Sequence, residues 1–130
     1  MRCPDCNKFV GNDQQDPEVD DITIDADGHI NVTVRIVNAC DQCGTELTEA
    51  VLELEDDIAE LVEHHKGEGH ELEIEDDNAE RTERCEGKGR GRRTFYGASV
   101  HYRVTCSCGR LKHSDVLEDD VQASAMDSLA

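Results

Sequence analysis

Seven cysteines in a chain of 130 residues carry most of the chemistry this sequence can perform. Cys3 and Cys6 form one C-x-x-C pair and Cys40 and Cys43 a second, with 33 residues between the pairs. A C-x-x-C turn aims two thiolates at one ion, about 2.3 Å from each sulfur, and two such turns complete a tetrahedral four-cysteine zinc site. Pro4 stiffens the first turn, and Gly44 permits the left-handed backbone that the second requires. A redox pair would call for a βαβ context, and the surrounding pattern is not of that kind. Cys85, Cys106 and Cys108 make a second set that lacks one ligand. His113, five positions past Cys108, would complete three cysteines with one histidine. His101 is the competitor, but it falls on the opposite face of its strand from Val100, Tyr102 and Val104. His64, His65 and His70 read as solvated loop residues. The expected cofactor is Zn2+, one ion at the first set and a second at the other. The competing expectation is a second unit that has lost its metal, since Lys88 stands near where another cysteine would sit.

The motifs CPDCNK (Cys3 to Lys8) and CDQCG (Cys40 to Gly44) resemble those of zinc-ribbon proteins. The resemblance covers roughly residues 1 to 55 and extends more faintly over the second half. Its 33-residue spacer is longer than that of a minimal ribbon. It implies a small zinc-bound β unit but says little about task, because zinc ribbons occur in transcription factors, polymerase subunits, ribosomal proteins, primases and viral adaptors. Four-thiolate zinc has no open coordination position, so the metal is expected to supply folding energy and not catalysis. Cys-Pro-Asp-Cys is superficially like a deaminase motif, but no His-x-Glu stands upstream of it.

A second feature is the distribution of charge. Residues 81 to 112 hold nine of the 13 basic residues against only Glu83 and Glu86, in a chain whose net charge is −18. Gly87-Lys88-Gly89-Arg90-Gly91-Arg92-Arg93 is a flexible basic loop with Phe95, Tyr96 and Tyr102 nearby. Glycines let a backbone approach phosphates, Arg offers bidentate contacts, and an aromatic can stack on a base. The expectation is a nucleic-acid or partner face made by Lys88, Arg90, Arg92, Arg93, Arg103, Arg110 and Lys112. The opposing reading pairs these cations with the chain's own carboxylates or those of an acidic partner. The loop lacks P-loop spacing. Asp25-x-Asp27-Gly28 resembles the start of a calcium loop but has no glutamate at the twelfth position, and it reads as a hairpin turn.

The elements that must position these groups are mainly strands. Ile22 and Ile24, then Ile30, Val32, Val34 and Ile36, alternate with polar residues on either side of Asp27-Gly28, the pattern of a β-hairpin. Leu52 and Leu54, Leu72 and Ile74, and Val100, Tyr102 and Val104 continue it. Ile58, Leu61 and Val62 instead fall at helical spacing and predict one short helix. Asp13 to Asp21 has no apolar period and reads as a loop. The run from Val34 through Cys40, Cys43 and Leu47 to Glu53 can be laid against that from Tyr102 through Cys106, Cys108 and Leu111 to Glu118, an internal repeat. The predicted organisation is a first zinc-ribbon-like unit over 1–67, a degenerate second unit over 68–120 and a polar tail over 121–130.

With 36% apolar residues, two Phe, two Tyr and no Trp, little area is available for burial. The metals are therefore expected to stand in for a missing core. No apolar run reaches the ~20 residues of a membrane helix, the N-terminus does not read as a secretory signal, and the paired cysteines suit a reducing compartment. The expected location is the cytoplasm, or a virion, since the acidic, Lys-poor composition resembles proteins of salt-loving archaea and their viruses. The functional expectation is a non-enzymatic zinc-binding module that contacts nucleic acid or a nucleic-acid-handling complex. Its alternative is a structural or adaptor subunit of a larger assembly, such as a viral capsid or tail component. No small-molecule substrate or membrane contact is expected.

Overall fold

Alternation of β-branched and polar residues commits most of this chain to strands, because period-two patterning presents one continuous apolar face to a core. The computed structural model describes residues 12 to 67 and 69 to 129. Its strands are β1 (Asn12–Gln14), β2 (Glu18–Ile24), β3 (His29–Cys40), β4 (Glu46–Asp57), β5 (Leu72–Glu86), β6 (Arg93–Cys106), β7 (Lys112–Gln122) and β8 (Asp127–Ser128). One short helix, α1 (Ala59–Val62), runs into a 3-10 turn, Glu63–His65. The fold is mainly β, as expected.

The internal repeat appears as two antiparallel meanders. In the first sheet β3 pairs with β2 and β4, and in the second β6 pairs with β5 and β7. Two additions enlarge the first sheet: β1 continues the β2 edge of β3, and β8 pairs with β4 through Thr48↔Ser128 and Glu49↔Asp127. The sheets lie face to face, with β2 along β5 and β4 along β7. Their central strands supply most of the core. Ile30, Val32, Val34 and Ile36 of β3 meet Ala98, Val100, Tyr102 and Val104 of β6, all fully buried or nearly so.

This shared core corrects two expectations. The crossover after β4 leads from one sheet to the other, and the core expected to be missing is present and shared by both halves. Small aliphatic side chains on two facing strands pack into one continuous core. The tail is also engaged. Met126 is buried in the same core, and Asn38, itself buried, donates from Nδ2 to Met126 Sδ at 3.2 Å and to Thr48 Oγ1 at 3.3 Å. A lone methionine among small polar residues gives no periodic signal.

Asp13 to Asp21 is not a loop, since β1 and most of β2 occupy it and only Gln15 to Pro17 separates them. β2 is an edge strand with mostly exposed side chains, so its acids obscure the alternation. The hairpin turn is as expected: Asp25 Oδ1 accepts the backbone N–H groups of Asp27 and His29, each at 2.9 Å, and Gly28 closes the turn at φ 83°. Of the helical triplet, Ile58 and Val62 are buried, while Leu61 is 46% exposed because α1 is a single turn.

Candidate metal centre and basic arm

Each meander turns between its second and third strands through a pair of cysteines, and the two turns are built alike. Cys40 N–H donates to Thr45 O at 2.8 Å and Gly44 N–H to Cys40 O at 2.9 Å. In the second sheet Cys106 N–H donates to Leu111 O at 3.3 Å and Gly109 N–H to Cys106 O at 2.9 Å. Gly44 and Gly109 take φ 78° and 76°, which only glycine adopts without strain. Cys40 and Cys106, at the ends of the two central strands, are buried, while Cys43 and Cys108 are exposed.

The turns lie at opposite ends of the sandwich. Gln14, paired with Asn38 close to Cys40, donates its side-chain amide to Gly97 O at 2.8 Å, whereas Asp56, paired with Ile30 at the start of β3, accepts from Tyr102 Oη at 2.8 Å. Cys106 therefore lies at the end where the crossover runs. That crossover brings His65 and His70 to the cysteine turn. His65 Nδ1 is 3.2 Å from Cys108 Sγ and His70 Nδ1 is 3.4 Å from Cys106 Sγ. The ligand atoms of His65, His70, Cys106 and Cys108 all lie within 4.8 Å of one another, a group that could hold a metal ion. The two imidazoles stand edge-on, centroids 5.4 Å apart. Backbone N–H groups, Arg110's foremost, hold the Cys108 thiol below its usual range; in the other turn Cys40 Sγ accepts a hydrogen bond from Gln42 N–H at 3.4 Å.

This grouping differs from the set read from spacing. Cys85 pairs with Thr94, twelve residues along β6 from Cys106, so roughly 40 Å of strand separates them and no ion can bind both. Its thiol is held below the usual range by Arg92, whose Nη2 lies 3.1 Å from Sγ. His113 pairs with Val104 and directs Nε2 to Tyr102 Oη at 3.5 Å, away from the cysteines. Conversely, His65 and His70 are not solvated loop residues. The C-x-C pair with a histidine nearby was visible in the sequence, but which histidine reaches it depends on where the crossover lands. Cys3 and Cys6 lie outside the described residues. Their expected partners Cys40 and Cys43 are at the turn beside which β1 enters, with Asn12 opposite Cys40.

The basic residues do not form one face. Lys88, Arg90, Arg92 and Arg93 cluster at the tip of the β5–β6 hairpin, whereas Arg103, three residues before Cys106 on β6, and Arg110 and Lys112 lie towards the other end, where the Cys106–Cys108 turn is. A strand's length separates the two clusters, which contiguity in sequence conceals. Several cations are already engaged. Arg103 pairs with Glu75 at 3.2 Å and Asp77 at 3.3 Å, and Arg84 pairs with Asp120 at 2.5 Å and with Glu86 while lying 3.9 Å over the Phe95 ring. Arg81 donates to the Gln14 carbonyl and fastens the second sheet to the first. The hairpin tip differs. The last β6–β7 pair is Phe95↔Gln122, whereas β5 and β6 continue to Glu86↔Arg93. Beyond β7 the two strands run on for the pairs Cys85↔Thr94 and Glu86↔Arg93 as a short arm, and the chain is exposed throughout from Glu83 to Arg93. Among the described residues, Lys88, Arg90 and Arg93 have no carboxylate partner.

Comparison with known proteins finds no matching family model, no matching curated protein and no matching solved structure.

Proposed function

We propose that this chain is a non-enzymatic, zinc-stapled interaction module that contacts nucleic acid through the tip of its β5–β6 arm. The observation that carries this reading is the arm itself: Lys88, Arg90 and Arg93 are exposed and unpaired with carboxylates among the described residues, on a glycine-flexed tip. The tip stands roughly 10 Å beyond the last residue of β7, about one Debye length at physiological salt. The cations there are partly screened from the acidic body, and Arg84 offsets part of the charge of Asp120 and Glu86, leaving Glu83 as the carboxylate that acts on Arg92. Phosphates can therefore approach the arm despite a net charge of −18.

Zinc serves as a staple in this reading. Cys3, Cys6, Cys40 and Cys43 hold one ion at the end where β1 enters, and the second cysteine turn holds another. Both ions take four protein ligands, which leaves no position for substrate and supports a role without catalysis. A reducing, cytoplasmic setting keeps such thiols available. Among the described residues no helix is long and apolar enough to cross a membrane.

The test is fluorescence anisotropy with labelled single-stranded and duplex oligonucleotides across a salt series. Three phosphate contacts give a slope of log K against log salt of about −2 for single strands and about −3 for duplex. Replacing Lys88, Arg90 and Arg93 together with Gln should remove that slope without lowering the melting temperature. Unchanged binding in the variant would overturn the reading. The second reading, a structural or adaptor subunit, is favoured by the arginine–carboxylate pairs this chain already makes. It predicts that the same variant loses self-association or a protein partner while no oligonucleotide binds.

A further inference from the structure

The crossover between the sheets is poorly anchored by packing. Its last buried side chain is Val62, and from Glu63 to Glu71 no described residue is buried. Lys66 reaches Asp27 at 3.3 Å across an exposed surface, a pair worth little. Glu71 and Ser107 exchange two hydrogen bonds of 2.9 Å, and Ser107 Oγ donates to Gly69 O at 3.2 Å. Yet this segment delivers two imidazoles to two sulfurs from a separate turn.

We propose that His65, His70, Cys106 and Cys108 bind one zinc-class ion as a closed Cys2His2 site, and that this ion fastens the crossover to the second sheet. The proposal rests on the zinc-staple reading above but not on the nucleic-acid reading. Tetrahedral zinc with Zn–S near 2.3 Å and Zn–N near 2.0 Å spaces its ligand atoms roughly 3.3 to 3.8 Å apart. The Nδ1···Sγ separations of 3.2 and 3.4 Å, with all four atoms within 4.8 Å, are close to that spacing. Hydrogen bonds would satisfy the thiols and imidazoles in two independent pairs and give no reason for the pairs to converge. Two thiolates with two imidazoles at tetrahedral spacing select a borderline-soft ion such as zinc over calcium or magnesium. Because His65 and His70 flank the exposed part of the crossover and the cysteines sit on the β6–β7 turn, one ion ties the two segments where side-chain packing does not.

The experiment uses the full chain, purified without added metal. Zinc is counted by native mass spectrometry in the wild type and in His65→Asn, Cys108→Ser, Cys85→Ser and His113→Asn. The first two should each lose one ion, and the last two should lose none. Retention of the full count in His65→Asn and Cys108→Ser, or loss of an ion in Cys85→Ser or His113→Asn, would overturn the ligand set. A measurement on the wild type guards against variants that misfold. In the zinc-loaded chain the exposed Cys108 should alkylate at least tenfold more slowly than the exposed Cys85, and chelation should abolish the difference. Equal alkylation before chelation would sink the proposal. Amides of residues 63 to 71 should exchange about tenfold faster once the ion is removed; unchanged exchange would refute the fastening role. Oligonucleotide binding by the arm is read separately, so its absence would leave the metal result standing.

Discussion

Replacing Gly28 with alanine tests how tightly the β2–β3 turn is wedged against the crossover. Gly28 adopts φ 83°, and a Cβ built there would lie 2.7 Å from Val62 Cγ2 and 3.0 Å from the carbonyl carbon of Ile58. Its own carbonyl accepts the Ile58 N–H at 2.9 Å. The left-handed backbone alone costs alanine about 1 kcal/mol. The overlap adds about 2 kcal/mol, because Val62 is fully buried and one of the two contacts is to backbone. The sum, about 3 kcal/mol, is a large share of the ~5–15 kcal/mol that holds a domain folded. Urea unfolding monitored by far-UV circular dichroism should show the midpoint falling at unchanged slope, and the melting temperature should drop by roughly 10 °C. Gly89→Ala is the comparison. Gly89 has φ 62° with open space where the Cβ would go, so it carries the backbone cost alone. If the two variants lose equal stability, the steric half of this reasoning is wrong and the crossover yields freely at Ile58 and Val62.

Further predictions concern the core and its polar margin. Met126→Ala should cost about 2 kcal/mol, read as a lower urea midpoint, because it opens a cavity in the shared core and releases the hold on β8; a loss under 0.5 kcal/mol would mean that the tail is only loosely seated. Burial, with the hydrogen bond to Asp56, raises the Tyr102 phenol well above its ordinary range. Folding therefore keeps protonated a group that ionises near pH 10 in the unfolded chain, so its stabilisation is complete below pH 10 and declines as pH rises beyond it. Urea midpoints compared at pH 9 and pH 11 should fall less in Tyr102→Phe than in the wild type. The same substitution should cost about 1 kcal/mol at pH 7 through loss of the bond to Asp56. Arg103→Ala should change stability by less than 1 kcal/mol in thermal melts, since its pairs with Glu75 and Asp77 are exposed.

Much of this architecture depends on short-range chemistry and could be read from residue order. Alternation along Ile30 to Ile36 and along Val100 to Val104 marks the two central strands, Asp25 to Gly28 marks a turn through side-chain capping and a glycine, and matching cysteine turns mark the repeat. These signals hold because period two and positive φ are properties of a few neighbouring residues. The first half of edge strand β2, Glu18 to Asp21, and the segment holding Met126 were illegible for the same reason, since neither has a local period and both are fixed by what they pack against. The group that could hold a metal shows the limit most sharply. Cys106 and Cys108 announce a ligand pair in the sequence, but His65 and His70 join them only because α1 ends where it does and the second sheet folds back across the first. His113 is nearer in sequence, and the register with Val104 turns it toward Tyr102. The basic run likewise reads as one patch along the chain, whereas strand geometry places its two clusters at opposite ends of β6. Distances along a strand grow by about 3.3 Å per residue, so composition alone determines which charges and thiols are present and tertiary packing decides which of them meet.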